Sequence, residues 1–302
     1  MPAGRYPSRT AGGHPIRCAE VTIVLGLLAA VLWGVPDVPL AVAIRRVGEV
    51  PVLVWSLAIG TLAAVPIVAA TGAPHLTARG IGLAIAAAAI TVPAYLTAFT
   101  AFQTCPVSVV TPILSCEGAA AAVIAVIFGE RLSPILALSL AFAVLGVVLV
   151  GLSGGDHERA HLRGVAFVCL AALIWGGVLA LGAPVSRELG VWWGFLFVRI
   201  FALVFALALS LGTRHRRRLG SALRLEPWRI VVWGLSDTGA YLSFYLAAHR
   251  GPLAVASVLA AQFALFGALS GVLLLGERLR AHQWLGMAIV LGAVSAISTV
   301  TG

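Results

Sequence analysis

The chain has 302 residues, of which 61% are hydrophobic and only 10% are charged, and its mean hydropathy is +1.05. A soluble domain is roughly one quarter charged, so this composition excludes a water-soluble enzyme and indicates a polytopic membrane protein. The net charge of +9 comes from arginines clustered between long apolar runs, a pattern that does not favour nucleic-acid binding. The cysteines lack paired spacing and the histidines lack metal spacing, so we predict neither a disulfide framework nor a metal site.

Ten apolar runs of about 20 residues, long enough to cross the hydrocarbon core of a bilayer, are predicted as transmembrane helices. Their odd and even positions are both apolar, which argues against the strands of a membrane barrel. The first run follows an arginine-containing tail, as in a signal peptide, but it exceeds the about 7–15 apolar residues typical there. We therefore predict that it remains a helix. The runs are 21–43, 50–71, 80–102, 106–128, 134–153, 163–185, 190–212, 229–249, 252–276 and 281–301.

Three sequence patterns occur twice, in the same order and about 145 residues apart. They are Leu28-Ala29-Ala30-x-x-Trp33-Gly34 with Leu170-Ala171-Ala172-x-x-Trp175-Gly176, Ala94-Tyr95-Leu96 with Ala240-Tyr241-Leu242, and Gly129-Glu130-Arg131-Leu132 with Gly276-Glu277-Arg278-Leu279. A duplication explains them. It predicts a polar tail over 1–20, a first five-helix repeat over 21–153, a linker over 154–162 and a second repeat over 163–301.

The odd number of helices in each repeat fixes their relation. The second repeat must enter the membrane from the opposite side, so the predicted fold class is an all-α integral membrane protein of ten transmembrane helices in two inverted five-helix repeats. Secondary transporters have this architecture, with the substrate site between the two copies near the midplane of the bilayer.

These duplicated Trp-Gly and Gly-Glu-Arg-Leu patterns resemble the drug/metabolite transporter superfamily, in its ten-helix EamA-type branch, over about residues 21–301. The resemblance implies a carrier of the cell membrane, a monomer or homodimer without a cofactor, that moves small metabolites, amino-acid-like compounds or drugs, often outward. Such proteins often carry an arginine in the second helix of each half. Arg199 occupies that place in the second half, whereas the corresponding residues 54–57 carry no charge.

Four ionisable residues are predicted well inside spans: Glu117, Asp237, Arg199 and Asp37. Each costs about 2.5–3.5 kcal/mol to insert at mid-bilayer, so each needs a partner or a function. In one interpretation the acids line a substrate pathway, and Glu117, with Asp237 second, is the candidate for exchanging a proton. In the other, Arg199 pairs with one acid as a buried structural brace.

Aromatic and amide residues are predicted at the same depth. Trp33 lies four residues before Asp37, and Tyr241 follows Asp237 at the same spacing, so each ring shares a helix face with an acid. The alternative is that these rings lie at the membrane interfaces, where Trp and Tyr are common. The predicted substrate or proton pathway comprises Glu117, Asp237, Arg199, Asp37, Trp33, Tyr95, Trp175, Tyr241 and Gln262, with no catalytic residue. Gly-Glu-Arg-Leu is interpreted as a structural corner.

The arginine distribution and the resemblance give opposite orientations. An even number of spans places both chain ends on one face of the membrane. That face carries seven arginines and the opposite face twelve, which favours termini outside the cell, whereas the resemblance implies cytoplasmic termini. Both orientations stay open here.

A membrane enzyme and a membrane scaffold are the two alternatives to a transporter. A membrane enzyme acting on a lipid-linked substrate would need a catalytic set, and the short linker with Asp156, His157, Glu158 and His161 is a weak candidate. A membrane scaffold would not need acids at mid-membrane. No nucleotide-binding motif is present, so ATP is not expected to drive the protein directly. The sequence favours a secondary carrier for a small molecule.

Overall fold

A computed structural model describes residues 15–127, 134–151, 158–211, 216–250, 259–260 and 262–301. Within these residues the regular secondary structure is entirely helical, as predicted from the apolar runs. The helices are α1 Pro15–Gly34, α2 Asp37–Val47, α3 Glu49–Ala69, α4 Ala78–Thr104, α5 Val107–Leu114, α6 Glu117–Ile127, α7 Pro134–Gly151, α8 Glu158–Leu189, α9 Val191–Leu211, α10 Arg216–Leu225, α11 Pro227–Arg250, α12 Phe263–Leu275 and α13 Ala281–Thr301.

Several of these helices have the length and composition to cross a membrane. Five segments do so by length and hydropathy: Glu20–Val47, Glu49–Ala69, Ala78–Thr104, Leu162–Leu189 and Val191–Leu211. Shorter apolar helices cover Val107–Ala121, Ala137–Val150 and Phe263–Leu275. The predicted eighth span coincides with α11, which carries several charges, and the start of the predicted ninth span lies outside the described residues.

The first predicted span, 21–43, is interrupted in the structure. Here α1 ends at Gly34 and α2 begins at Asp37. Pro36 lies at the junction and has no N–H to donate to the preceding turn, so the helical ladder loses a bond there. The backbone bonds from Val35 to Val31 and from Leu40 to Pro36, both 3.0 Å, keep the two helices nearly continuous. Asp37 therefore begins a helix rather than continuing one.

The fourth predicted span, 106–128, is also interrupted, at Ser115 and Cys116, so that Glu117 is the first residue of α6. Pro112 weakens the preceding turn, and the Ser115 hydroxyl donates to the Pro112 carbonyl at 2.7 Å. The prediction of an unbroken helix here was wrong. The second repeat has a break at the equivalent place, because α12 begins at Phe263, 146 residues after Glu117.

Polar segments contain more helix than the sequence predicted. α1 begins inside the predicted tail and α8 begins inside the predicted linker. The stretch from 212 to 228, which separates two predicted spans, contains the amphipathic helix α10. Its apolar side, including Ala222, is buried against the bundle, which explains why a segment rich in arginine is helical.

The two repeats pack against each other reciprocally. α1 packs on α11 and α4 packs on α8, so the first helix of each repeat contacts the third span of the other. The corresponding ring pairs match closely. Trp33 and Tyr241 meet edge to face with centroids 5.0 Å apart at 86°, and Trp175 and Tyr95 do so at 4.8 Å and 89°. An inverted repeat with a two-fold relation produces this reciprocity.

The glycine of each Trp-Gly pattern has the same packing role in both halves. A Cβ at Gly34 would lie 2.7 Å from the backbone nitrogen of Gly267 in α12. A Cβ at Gly176 would lie 2.6 Å from the Cβ of Ala120 in α6. Neither space accepts a side chain. The glycines therefore let the helix that follows each break lie directly against the tryptophan-bearing helix of the other repeat.

Candidate functional site

A buried ion pair lies at the centre of the helical bundle. Arg199 of α9 places Nη1 2.7 Å from Oδ2 of Asp237 in α11, and the two side chains are only 6% and 5% exposed. The Tyr95 hydroxyl of α4 donates to the same oxygen at 3.3 Å, and the Arg199 guanidinium lies 5.3 Å from the Phe195 ring centroid. Of the three acids that the sequence offered as partners for Arg199, the structure selects Asp237.

The ion pair has little spare room around it. A Cβ at Gly60 of α3 would overlap both Arg199 and the Thr238 hydroxyl, so α3 closes over the guanidinium only because residue 60 has no side chain. Nε of Arg199 is buried and has no hydrogen-bond partner within the described residues. One donor of this charged group thus faces the interior of the bundle without an acceptor.

Asp37 belongs to the same polar cluster. Its carboxylate is buried and lies close enough to Trp233 and Asp237 to interact with both electrostatically. It also lies in the first turn of α2, where the positive end of the helix dipole favours a carboxylate. Asp37 of the first repeat and Asp237 of the second therefore lie close together, and Arg199 forms an ion pair with Asp237.

Aromatic rings surround this cluster. Trp33 contacts Tyr241 and, at 6.3 Å, Phe263 at the start of α12. Tyr95 contacts Trp175 and, at 5.7 Å, Trp233. The rings that the sequence placed inside spans are thus brought together at the centre. Trp233 shares the predicted helix face of Asp237 and Tyr241, four residues before Asp237. Phe195 was not predicted, although it lies four residues before Arg199, a spacing that could have indicated it.

Glu117 stands apart from the ion pair. It is half-buried, and it lies near enough to Tyr95 and Tyr241 to interact with them electrostatically. Within the described part of the chain its carboxylate forms no ion pair and no side-chain hydrogen bond. Gln262, at the equivalent break of the second repeat, donates to the Ser295 hydroxyl of α13 at 3.4 Å.

The second Gly-Glu-Arg-Leu pattern joins the two repeats. Gly276 ends α12 in the left-handed conformation, with φ of 67°. The Glu277 carboxylate then accepts hydrogen bonds from the backbone N–H groups of Val107 and Ser108, both at 2.8 Å. These are free N–H groups at the start of α5, where a negative charge is also favoured. The first copy of the pattern, over 129–132, lies outside the described residues.

Replacing Glu277 by alanine is expected to lower the free energy of unfolding by about 1–2 kcal/mol, because two N–H groups lose their cap. Glu277→Gln keeps one acceptor oxygen but no charge, so its free energy of unfolding should lie between those of the wild type and Glu277→Ala. Thermal unfolding of the purified protein in detergent measures this, with Arg278→Ala at the exposed neighbouring position as the control. Equal melting temperatures for Glu277→Ala and Arg278→Ala would contradict the capping role.

A second link between the repeats lies on the same side of the bundle, which we name the linker face. It includes the α4–α5 and α12–α13 turns, the carboxyl end of α2 and helix α10. There the buried carboxylate of Glu226 accepts from Arg46 of α2 at 2.8 Å and from Arg229. Burial alone would raise the pKa of Glu226, but the hydrogen bonds and charges of the two arginines hold the pKa below its ordinary value.

The pH dependence of this link has a definite sign. Because the pKa of Glu226 is lower in the folded than in the unfolded chain, its stabilisation is present above the ordinary glutamate pKa of about 4.3 and is lost as the pH falls through the folded value. Glu226→Gln should therefore melt below the wild type at pH 7, and the difference should shrink below about pH 4. A difference that stays constant down to low pH would contradict the assignment.

Residues 21–152 and again 162–299 match the sequence model of the EamA-like transporter family. The chain belongs to this family. The resemblance to the drug/metabolite transporter superfamily is thereby confirmed, and the protein is a multi-pass membrane protein of a family of transporters rather than enzymes.

Comparison with solved structures gives the fold alone. A structure described as "Crystal structure of protein" superposes with a TM-score of 0.54 at 16% identity, over 94% of this chain and 97% of that chain. No curated protein matches the sequence. The EamA-like chain is therefore assigned to a transporter family, and its substrate has to be argued from the site.

Proposed function

We propose that this EamA-like protein is a secondary carrier that exports a small metabolite, an amino-acid-like compound or a drug across the cell membrane by alternating access. The observation that carries the proposal is the central cluster. Charged and aromatic residues from both repeats meet there, beside helices that break at equivalent positions. Discontinuous helices around a central site between inverted repeats support a transporter mechanism.

The residues of the cluster have different proposed roles. Arg199 and Asp237 form the brace that holds α9 and α11 in place. Glu117, with no ionic partner in the described chain, is the group that takes up a proton from one side and releases it on the other. Trp33 and Tyr241 contact the apolar part of the substrate. The polar group of the substrate interacts with the carboxylates of the central cluster.

Alternating access requires the repeats to separate on one face at a time. On the linker face the caps and ion pairs of Glu277 and Glu226 join the repeats, so these contacts must break when the site opens to that side. Their energy then sets how often the linker face opens.

Comparative metabolite profiling tests the proposed function. Cells with and without the protein, at matched growth, are compared for intracellular and extracellular small molecules. We expect at least one compound to fall inside and rise outside when the protein is present. Unchanged pools at verified expression in the membrane would contradict export. A change in a lipid-linked product instead of a soluble compound would favour a membrane enzyme.

A further inference from the structure

Helix α10 and the start of α11 form a distinct patch on the linker face, which we name the α10 surface: Arg218, Arg224, Leu225 and Trp228. The helix is firmly attached to the bundle. Ala222 is fully buried, and the indole N–H of Trp55 in α3 donates to the backbone carbonyl of Leu219 at 2.8 Å. The α10 surface is therefore held at a fixed depth relative to the membrane-spanning helices.

The outward side of the α10 surface combines positive charge with apolar groups. Arg218 and Arg224 are exposed and form no ion pair within the described residues. Beside them Leu225 is 64% exposed and Trp228 is 55% exposed, and the guanidinium of Arg229 lies 4.5 Å from the Trp228 ring centroid. Basic residues next to tryptophan and leucine are typical of protein surfaces at the headgroup level of a bilayer.

The charge around this patch favours an anionic partner. Arg45, Arg163 and Arg278 are also exposed on the linker face. Its described acids Glu226, Glu277 and Glu49 already accept hydrogen bonds from groups of the protein. A soluble anion would satisfy the arginines but would leave Leu225 and Trp228 in water. A phospholipid satisfies both, because its headgroup carries the charge and its acyl chains accept the apolar side chains.

We propose that the α10 surface binds the phosphate-bearing headgroups of anionic phospholipids in the leaflet that adjoins the linker face. The arginines contact the headgroups, and Leu225 and Trp228 enter the boundary between headgroups and acyl chains. This binding stabilises the position of α10, and through the Trp55 contact it stabilises α3. The inference does not depend on what the protein transports.

The test uses the full-length protein purified in detergent and titrated with phosphatidylglycerol or phosphatidylcholine, with bound lipid counted by native mass spectrometry. Wild type should bind phosphatidylglycerol in preference to phosphatidylcholine. The double variant Arg218→Ala, Arg224→Ala should lose about 30-fold in affinity for phosphatidylglycerol, since each arginine near an anionic surface contributes a factor of about five.

Two further variants show whether the lost affinity for phosphatidylglycerol is specific to the α10 surface or results from a lower net charge or from unfolding. Arg218→Lys with Arg224→Lys keeps the charge and should retain most of the affinity. Arg79→Ala with Arg187→Ala removes two arginines elsewhere and should bind like wild type. Equal affinity of the α10 variant and wild type, an equal loss in the Arg79 and Arg187 control, or displacement of the lipid by inorganic phosphate alone would each overturn the proposal.

Discussion

Replacing Arg199 by glutamine is expected to remove most of the folded protein from the membrane. The change leaves the carboxylate of Asp237 buried without its 2.7 Å partner, and breaking one side of a buried pair costs about 3–5 kcal/mol. Domains are commonly stable by only about 5–15 kcal/mol. The hydrogen bond from Tyr95, at 3.3 Å, is too weak to compensate the charge. The measurement is the amount of monodisperse protein after extraction in mild detergent.

Two variants make the result specific to the pair. Adding Asp237→Asn to Arg199→Gln removes the orphan charge and should restore much of the folded protein, because the effects of contacting residues are not additive. The control is Arg79→Gln. Arg79 forms an ion pair with Glu188, but its side chain is 79% exposed, so this change should have little effect on the amount of folded protein. Wild-type amounts of Arg199→Gln, or rescue by Glu117→Gln in place of Asp237→Asn, would contradict the assigned pairing.

Replacing Glu117 by glutamine is expected to give the opposite result: normal folded protein with transport driven by a pH gradient reduced at least tenfold. Glutamine keeps the shape of the side chain but cannot exchange a proton. Because Glu117 has no ionic partner in the described chain, the change leaves no charge unpaired. Uptake into proteoliposomes, with and without an imposed pH gradient, measures the effect for the compound that profiling identifies.

The control for this variant is Glu20→Gln, which removes an exposed carboxylate near the start of α1 and should transport normally. If Glu117→Gln folds and responds to the pH gradient like wild type, Glu117 is not the proton site. Asp237 then becomes the residue to test, in the double variant Arg199→Gln, Asp237→Asn, which is expected to fold because neither charge of the ion pair remains.

Composition and repeats predicted the membrane class, the family and the helical fold, because hydropathy and duplicated patterns are local properties of the chain. The aromatic pairs across the repeats were not predicted, although their equivalence follows from the same duplication, since Trp33 and Trp175 must have equivalent neighbours if the repeats are equivalent. The breaks before Glu117 and Phe263 could not be predicted, because the apolar run continues through both of them.

The sequence also could not show which acid pairs with Arg199. Three acids at similar depth could have paired with Arg199, and the packing of α3 against both α9 and α11 decides between them. The target of Glu277 is 169–170 residues away along the chain, so the motif indicated a corner but not the helix that it caps. Helix α10 was also not predicted, because its high arginine content was interpreted as a polar connection between two spans.

The most direct test of the account is to hold the linker face closed and measure transport. Arg46→Cys and Glu226→Cys replace a pair whose charged groups are 2.8 Å apart, in a chain whose native cysteines are changed to serine or alanine. A short bis-methanethiosulfonate reagent joins the two thiols through disulfide bonds that a reductant can cleave. With both single-cysteine variants as controls, the account predicts that bridging abolishes transport of the profiled compound and that reduction restores it. Undiminished transport by fully bridged protein would contradict alternating access between the two repeats.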